Sequence, residues 1–258
     1  MRDSNKDKIY FDNIINVKYK GIEKRLEKFF NHQIKSDRIK IVKRQMSGTF
    51  FDIINAKYSR GDYMYDNNVL SDYKKGIDLM YENWEKYKNN YKYSKYRKIK
   101  YLNQYTFSGY MQMAQILSLG ILLNVPKEYI EKFAEIIDKD NVKDFLFEFL
   151  LNYKLNNRKF IKEESYSHVF HINERLGLLK EIIKKTEKTK AEKELKFFLE
   201  KKWYQSFKGT PLYNSHKNNH NTYIGYWCYI VAAIVKIKKL DDCSFKMNQY
   251  YPKDLLTN

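Results

Sequence analysis

Helix-breaking residues are rare in this chain. Its 258 residues include only 3 prolines and 9 glycines, and no Asn-Gly or Asp-Gly turn between alternating apolar residues marks a β-hairpin. Such a chain favours long helices joined by short turns. Because 43% of the residues are hydrophobic and 17% are aromatic, there is enough apolar surface to bury a core. We therefore predict an all-α fold, an antiparallel multi-helix bundle in which two helical halves pack together.

Apolar residues recur at helical spacing in several segments. Between residues 127 and 139 they share one helical face, and Pro126 can occupy the first turn of that helix, where a missing N–H is tolerated. We expect further helices near residues 8–31, 36–58, 69–90 and 172–186.

The most apolar segment of helical length runs from Gly225 to Lys238. Its large apolar side chains follow helical spacing, its paired alanines keep the other faces slim, and Gly225 allows another backbone to approach closely. This pattern predicts a central core helix that begins with Tyr226 and Trp227. The residues predicted to form the structural core are Trp203, Gly225, Tyr226, Trp227 and Ile234.

A polar stretch, NNRKFIKEES at residues 156–165, separates two apolar helical regions. Domain boundaries commonly fall in polar segments of this kind. We therefore predict an N-terminal helical domain at residues 1–155 and a C-terminal helical domain at residues 156–258.

The chain carries 49 basic and 31 acidic residues, which gives a formal net charge of +18. Such a charge is typical of proteins that bind nucleic acids. However, most of the basic residues are lysines, whereas arginine is the preferred reader of bases and phosphates. Lys, Asn, Ile and Tyr, which are all abundant here, also share A/T-rich codons. Genomic base composition is therefore the preferred explanation of the charge, and we do not expect nucleic acid as a partner.

Acidic residues are concentrated in two regions. One extends from Asp62 to Glu85 and the other from Lys127 to Glu148, and in both the carboxylates outnumber the lysines. The segregation indicates acidic patches on a basic body, although each run alone is also typical of a solvated helix face.

The chain contains no sequence pattern typical of catalysis or cofactor binding. It has neither a glycine-rich phosphate loop nor a nucleophile elbow, so we expect no enzyme and no cofactor. Two histidine pairs, His168 with His171 and His216 with His220, have spacings that occur in metal sites. The first spacing is common by chance, and Lys217 stands where the metalloprotease motif has its glutamate. We therefore predict that His168 and His171 are structural, that His216 and His220 are structural or contact a partner, and that no metal is bound.

The two cysteines, Cys228 and Cys243, form neither a ligand cluster nor a disulfide framework. A thiol inside an apolar segment, such as that of Cys228, is expected to be inert. The N-terminus lacks an apolar signal core, and the longest apolar runs are shorter than the roughly 20 residues that span a bilayer. We therefore expect a cytoplasmic protein without a membrane partner.

Motifs in both halves of the chain are similar to those of a known family. In the C-terminal segment they are Trp203-Tyr204, a histidine before a tyrosine-glycine stretch, Gly225-Tyr226-Trp227, an alanine pair, Asp241-Asp242, Tyr250-Tyr251-Pro252 and Asp254-Leu255. The N-terminal half has MRD at its start, Tyr-Ser-x-Gly at residues 58–61 and LSLGILLNVP at residues 117–126. Over nearly its whole length the chain resembles the PoNi immunity proteins, which neutralise PoNe-type DNase toxins in competition between bacteria.

The resemblance implies an all-helical, non-enzymatic protein that binds a cognate DNase toxin domain and covers its nuclease site or DNA path. DNA-binding surfaces are basic, so the acidic regions are predicted to face the toxin, because charge complementarity speeds association and sets specificity. The residues predicted to contact the toxin are Asp62, Asp66, Asp72, Asp78, Glu82, Tyr213, His216, Tyr250 and Tyr251. At one position the chain departs from the family pattern, since Ile230 stands where an acidic residue is usual.

Two other functions stay open at this point. Net charge alone supports a basic helical nucleic-acid-binding protein, and the histidine pairs alone support a metal-dependent enzyme. We prefer the immunity protein to the nucleic-acid binder and the enzyme, in that order, and leave the oligomeric state open.

Overall fold

The computed structural model describes residues 1–85, 90–95, 98–158 and 170–256 of the chain. Within these residues it contains nine α-helices and one two-stranded antiparallel hairpin, so the prediction of an all-α helical bundle is confirmed. The chain forms two compact units, Met1–Trp84 with Thr210–Trp227 and Glu85–Gly209 with Cys228–Asn258. The predicted boundary at residues 156–165 falls largely outside the described residues, and the division into 1–155 and 156–258 stays a prediction.

The first unit is built on three helices, α1 (Lys8–Phe30), α2 (Ile39–Arg60) and α3 (Asn67–Glu82). Helices α2 and α3 pack closely at Gly76, where a Cβ would lie 2.9 Å from the ring of Phe51. The Oγ of Ser47 also donates a 2.7 Å hydrogen bond to the Gly76 carbonyl. The small residue at this crossing therefore brings the two helices together.

Capping residues set the ends of these helices. Helix α1 begins after Asp7, whose carboxylate accepts a hydrogen bond from the backbone N–H of Tyr10. Helix α3 begins after Asp66, whose carboxylate accepts one from Asn68. Helix α2 ends at Gly61, which has a φ of 103° in the left-handed region that glycine tolerates.

The second unit contains the hairpin and six helices. They are β1 (Asn90–Lys95), β2 (Lys98–Tyr105), α4 (Phe107–Leu122), α5 (Lys127–Lys139), α6 (Phe145–Asn152), α7 (Phe170–Lys184), α8 (Lys188–Phe197) and α9 (Tyr229–Lys238). Helices α4 and α9 pack against each other and bury most of their side chains, so they form the centre of this unit. Across the described residues, each helix is either too short or too polar to cross a bilayer.

Several boundaries differ from the sequence-based prediction. The central helix begins only at Tyr229, because residues 222–228 have no regular secondary structure and Gly225 has a φ of 107°. Trp227 therefore precedes the helix and belongs to the first unit. Pro126 is the N-cap of α5 and does not lie in its first turn. Helix α3 ends at Glu82, short of residue 90, and is followed by a hairpin that no turn motif indicated.

Candidate functional site

The fold of α3 separates the acidic residues that follow one another between Asp62 and Glu82. Asp66 is exposed and caps the start of α3, while Asp78 and Glu82 lie near its end. A helix of 16 residues is about 24 Å long, so these residues are far apart. Asp78, which is half-buried, and Glu82, which is exposed, are four residues apart and share a helix face. The run therefore forms separate acidic positions and not one patch.

Arg60 and Asp62 form a bidentate ion pair. The Nε of Arg60 donates to Oδ1 at 2.8 Å and Nη2 donates to Oδ2 at 2.5 Å. The same guanidinium donates to Oδ1 of Asp12 at 2.7 Å. These carboxylates, Asp62 above all, raise the pKa of Arg60. Asp62 therefore fixes Arg60, while 25% of its own side chain stays exposed.

Asp72 faces the interior of the first unit, which is unfavourable for its predicted contact with the toxin. The residue is 4% exposed, and its Oδ2 accepts a 2.7 Å bond from the Nζ of Lys57. The hydroxyl of Tyr19 donates to the same oxygen and accepts a 2.7 Å bond from Lys57. Burial, and then the bond to Asp72, raises the pKa of Tyr19. Asp72 therefore balances the buried charge of Lys57.

His216 lies against the aromatic rings of the segment 210–227. Its Nδ1 is 2.9 Å from the hydroxyl of Tyr226, and its ring centre lies 5.6 Å from that of Tyr226 and 5.9 Å from that of Tyr223. Burial, and then the neighbouring charge of Lys217, lowers the pKa of His216. The neutral imidazole is therefore favoured. His216 and Tyr213 are both half-buried.

Motifs that are far apart in the sequence meet in the first unit. The Nε1 of Trp227 donates a 2.7 Å hydrogen bond to the Oγ of Ser59, which donates a 2.8 Å bond to the carbonyl of Ile224. The ring of Trp227 meets that of Tyr58 edge-on, with 4.7 Å between ring centres. We call this cluster the motif junction and define it as Arg2, Asp3, Tyr58, Ser59, Gly61, Gly225, Tyr226 and Trp227. Three of the motifs that carry the family resemblance, MRD, Tyr-Ser-x-Gly and Gly-Tyr-Trp, therefore form one cluster.

Arg2 and Asp3 of the N-terminal segment bind other residues of the first unit at the motif junction. Arg2 Nη1 donates to the carbonyls of Tyr58 at 3.0 Å and Asp62 at 2.8 Å, and the guanidinium lies 4.5 Å from the Tyr58 ring centre. The hydroxyl of Tyr223 donates a 2.5 Å bond to Oδ2 of Asp3. Arg2 thereby brings charged donors to carbonyls at the end of α2. The sequence-based prediction noted the MRD start but gave these two residues no role.

The residues predicted as structural core are divided between the units. Trp203 and Ile234 are fully buried in the second unit. Tyr226 and Trp227 are each 5% exposed in the first unit. Gly225 is half-buried, and a Cβ on it would lie only 2.3 Å from the Nε1 of Trp227. This position therefore requires glycine for both its backbone conformation and its surroundings.

Two further residues at the start of α9 are fully buried. The thiol of Cys228 has its pKa raised by burial, which makes it a poor nucleophile. Ile230 is 0% exposed, so the position at which the resemblance leads us to expect an acidic residue is interior and apolar here. Its backbone N–H donates a 3.3 Å bond to the side chain of Gln115.

The two predicted tyrosine contacts near the C-terminus have different environments. Tyr250 is half-buried and stacks on Tyr204, with 5.8 Å between ring centres. Tyr251 is 2% exposed, and its hydroxyl donates a 3.0 Å bond to Oδ2 of Asp242. Its ring also meets that of Phe245 edge-on at 5.2 Å. Tyr251 therefore packs inside the second unit, which is unfavourable for its predicted contact with the toxin.

Both histidine pairs have spacings that occur in metal sites. His168 and the side chain of His171 lie outside the described residues. His216 contacts Tyr226, and His220 is exposed. Within the described ranges, the group with three close potential ligands consists of Asp241, Asp242 and Cys243, whose ligand atoms lie within 4.8 Å of one another. Its hydrogen bond to Asp241 raises the pKa of the Cys243 thiol.

Comparison with known proteins identifies the chain by two family models and one fold. The model described as PoNe immunity protein (PoNi), N-terminal, matches residues 2–135, and the model described as PoNe immunity proteins (PoNi), C-terminal, matches residues 142–255. The crystal structure of protein PA2201 from Pseudomonas aeruginosa is similar in fold, with a TM-score of 0.59 and 17% identity over 84% of this chain and 74% of that chain. No curated protein matches the sequence significantly. The chain therefore belongs to the PoNi family of PoNe immunity proteins, whose role is immunity against a toxin.

Proposed function

We propose that this protein binds the nuclease domain of a cognate DNase toxin and neutralises it by occlusion, covering the nuclease site or the path of the DNA. The observation that carries the proposal is the family match, which extends over residues 2–135 and 142–255. In this proposal the protein acts by binding, without a catalytic step or a cofactor. Because a DNase acts on the chromosome, the complex forms in the cytoplasm.

Surface charge supports one orientation of this complex. The DNA path of a nuclease is basic, and complementary charges speed and orient association. Asp78 and Glu82 present carboxylates on one face at the end of α3, so this pair is a better toxin contact than the buried Asp72. The proposed contact residues are Asp62, Asp66, Asp78, Glu82, Tyr213, His216 and Tyr250.

Co-expression tests the function. The neighbouring gene that encodes a nuclease domain is expressed in bacteria with and without this chain, and survival and co-purification are scored. Survival that depends on the chain, together with a purified complex, is the expected result. Lethality despite full expression of the chain would overturn the proposal, and a stable complex that still cleaves DNA would overturn occlusion.

Charge reversal tests the orientation. Asp78→Lys with Glu82→Lys should lower the association rate for the toxin and reduce protection. The matched control is Glu181→Lys with Glu200→Lys, which changes the net charge equally. These two side chains are 61% and 42% exposed and have only loose lysine partners, at 4.0 and 3.9 Å. Equal effects of both double variants would mean that total charge, and not the end of α3, governs association.

A further inference from the structure

The far end of the α1–α2 hairpin lacks a buried side chain. We call residues 24–44 the hairpin tip, and every one of them is exposed or half-buried. By contrast, α1 buries side chains as far as Ile22 and α2 buries them from Met46 onward. Seven large apolar residues of the tip, among them Leu26 and Phe30, are thus left in contact with water. Apolar surface of this kind on a folded protein marks a contact with a partner.

The hairpin tip combines an apolar centre with a basic rim. Phe30 is 85% exposed and Leu26 is 53% exposed, and residues four apart on a helix are surface neighbours. Around them the tip carries eight Lys or Arg residues against two carboxylates. An apolar centre that contains an aromatic ring, surrounded by a polar rim, is typical of protein–protein interfaces.

Asp78 and Glu82 of α3, which we call the acidic pair, lie toward the same end of the first unit as the hairpin tip. Helix α3 runs antiparallel to α2, because Lys57 contacts Asp72 whereas Ser47, earlier in α2, contacts Gly76, later in α3. The end of α3, with Asp78 and Glu82, therefore approaches the start of α2. Both signs of charge are presented side by side at this end.

The basic tip and the neighbouring acidic pair fit some possible binding partners of the hairpin tip better than others. An anionic bilayer would attract the basic tip but repel the acidic pair, and a DNA duplex offers phosphates but few apolar contacts. A second copy of the chain carries the same net charge of +18, which opposes the approach of two copies. The family match implies a toxin as the partner, and carboxylates on the surface of that toxin would complement the basic tip.

We propose that the hairpin tip docks into an apolar, carboxylate-rimmed cleft of the toxin, with Phe30 and Leu26 as its anchors and the surrounding lysines and arginines facing toxin carboxylates. This inference rests on the proposed function. It accounts for a strongly basic inhibitor of a DNA-cutting enzyme, since the basic tip and the acidic pair contact different parts of one partner.

The test uses the full chain and a catalytically inactive form of the toxin from the neighbouring gene. Leu26→Ser with Phe30→Ser should weaken binding roughly tenfold or more and leave thermal unfolding unchanged. The matched control is Ile9→Ser with Val17→Ser, on the same helix, where each side chain is 69% exposed. The control should bind the toxin as the wild type does. Wild-type binding that neither double variant changes, or that both weaken equally, would overturn this inference and leave the proposed function standing.

Two further measurements test whether the hairpin tip binds lipid or DNA instead of the toxin. Wild type and the Leu26→Ser, Phe30→Ser variant are incubated with vesicles of phosphatidylcholine and phosphatidylglycerol in equal parts, and with a short random DNA duplex. Loss of vesicle or duplex binding in the variant, with unchanged affinity for the toxin, would assign the tip to lipid or DNA and overturn the inference. Failure of the wild type to bind the toxin at all would overturn the proposed function itself, and this inference with it.

Discussion

The indole nitrogen of Trp227 donates a 2.7 Å hydrogen bond to the Oγ of Ser59, 168 residues earlier in the chain. Both residues are buried, at 5% and 0% exposure. Loss of this bond would leave the indole N–H buried without an acceptor, which costs about 1–3 kcal/mol. The contact fastens the segment 210–227 to the end of α2, so the first unit is completed by residues from a distant part of the sequence.

Replacement of Gly225 should damage this contact more than replacement of another glycine with positive φ. In Gly225→Ala the new Cβ would lie 2.3 Å from Trp227 Nε1 and 2.5 Å from Ser59 Oγ, so the bond cannot survive unchanged. Gly209 has a φ of 80°, but its nearest neighbour to a new Cβ is Arg175 at 4.0 Å. We expect Gly209→Ala to lower the free energy of unfolding by about 1–2 kcal/mol and Gly225→Ala by about 3 kcal/mol or more. Urea titration measures both, and equal losses would mean that backbone strain alone explains Gly225.

The sequence predicted the fold class well because helix signals are local. Scarce proline and glycine and regular apolar spacing act over a few residues, and the helices near 8–31, 36–58 and 172–186 accordingly lie close to α1, α2 and α7. The central helix was predicted to start too early, because the apolar spacing continues through Tyr226 and Trp227 while Gly225 takes a conformation that spacing does not reveal. Apolarity alone does not distinguish a buried helix from a buried extended segment.

The candidate site was less predictable, because charge partners lie far apart in sequence. Asp72 belongs to an acidic run that suggests a surface, and only the distant Lys57 makes it interior. Tyr251 looks like an exposed aromatic until Asp242 and Phe245 surround it. In both cases the fold supplies a partner that no short motif contains.

Removal of Arg2 should loosen the motif junction. Its guanidinium donates to two carbonyls and lies over the Tyr58 ring, and hydrogen bonds from charged groups contribute about 1.5–3 kcal/mol each. We expect Arg2→Ala to lower the free energy of unfolding by about 3 kcal/mol or more. Arg2→Lys keeps the charge but loses the planar guanidinium, so its free energy of unfolding should lie between those of the wild type and Arg2→Ala. An Arg2→Ala variant as stable as the wild type would show that the N-terminal segment contributes little to the first unit.

The buried Lys57–Asp72 pair should behave differently from an exposed pair of the same length. Asp72→Asn leaves a buried cation without its carboxylate, so we expect a loss of about 3–5 kcal/mol in the free energy of unfolding. The matched control is Lys18 with Asp52, also 2.7 Å apart but 22% and 41% exposed. Asp52→Asn should cost less than about 1 kcal/mol. Chemical denaturation compares the two, and similar losses would contradict the role of burial.

The same pair determines how the toxin contact can be tested. A lysine at position 72 would put two buried cations together, so loss of protection in Asp72→Lys would report misfolding and not a lost interface. Asp78 and Glu82 avoid this problem because they are half-buried and exposed.

The pH dependence of stability should contain a contribution from His216. Its pKa is lowered in the folded state by burial and by Lys217 and Lys6, against the opposite effect of Asp3. Between this lowered pKa and the ordinary value of about 6.5, the unfolded chain binds more protons than the folded one, so stability falls as the pH drops through this window. His216→Asn should therefore lose less stability than the wild type between about pH 7.5 and about pH 5. His220→Asn, which changes an exposed histidine four residues away, serves as the control for the substitution itself. Urea titration across this range measures the difference, and a His216→Asn curve parallel to that of the wild type would mean that the imidazole in contact with Tyr226 takes up its proton as readily in the folded protein as in the unfolded chain.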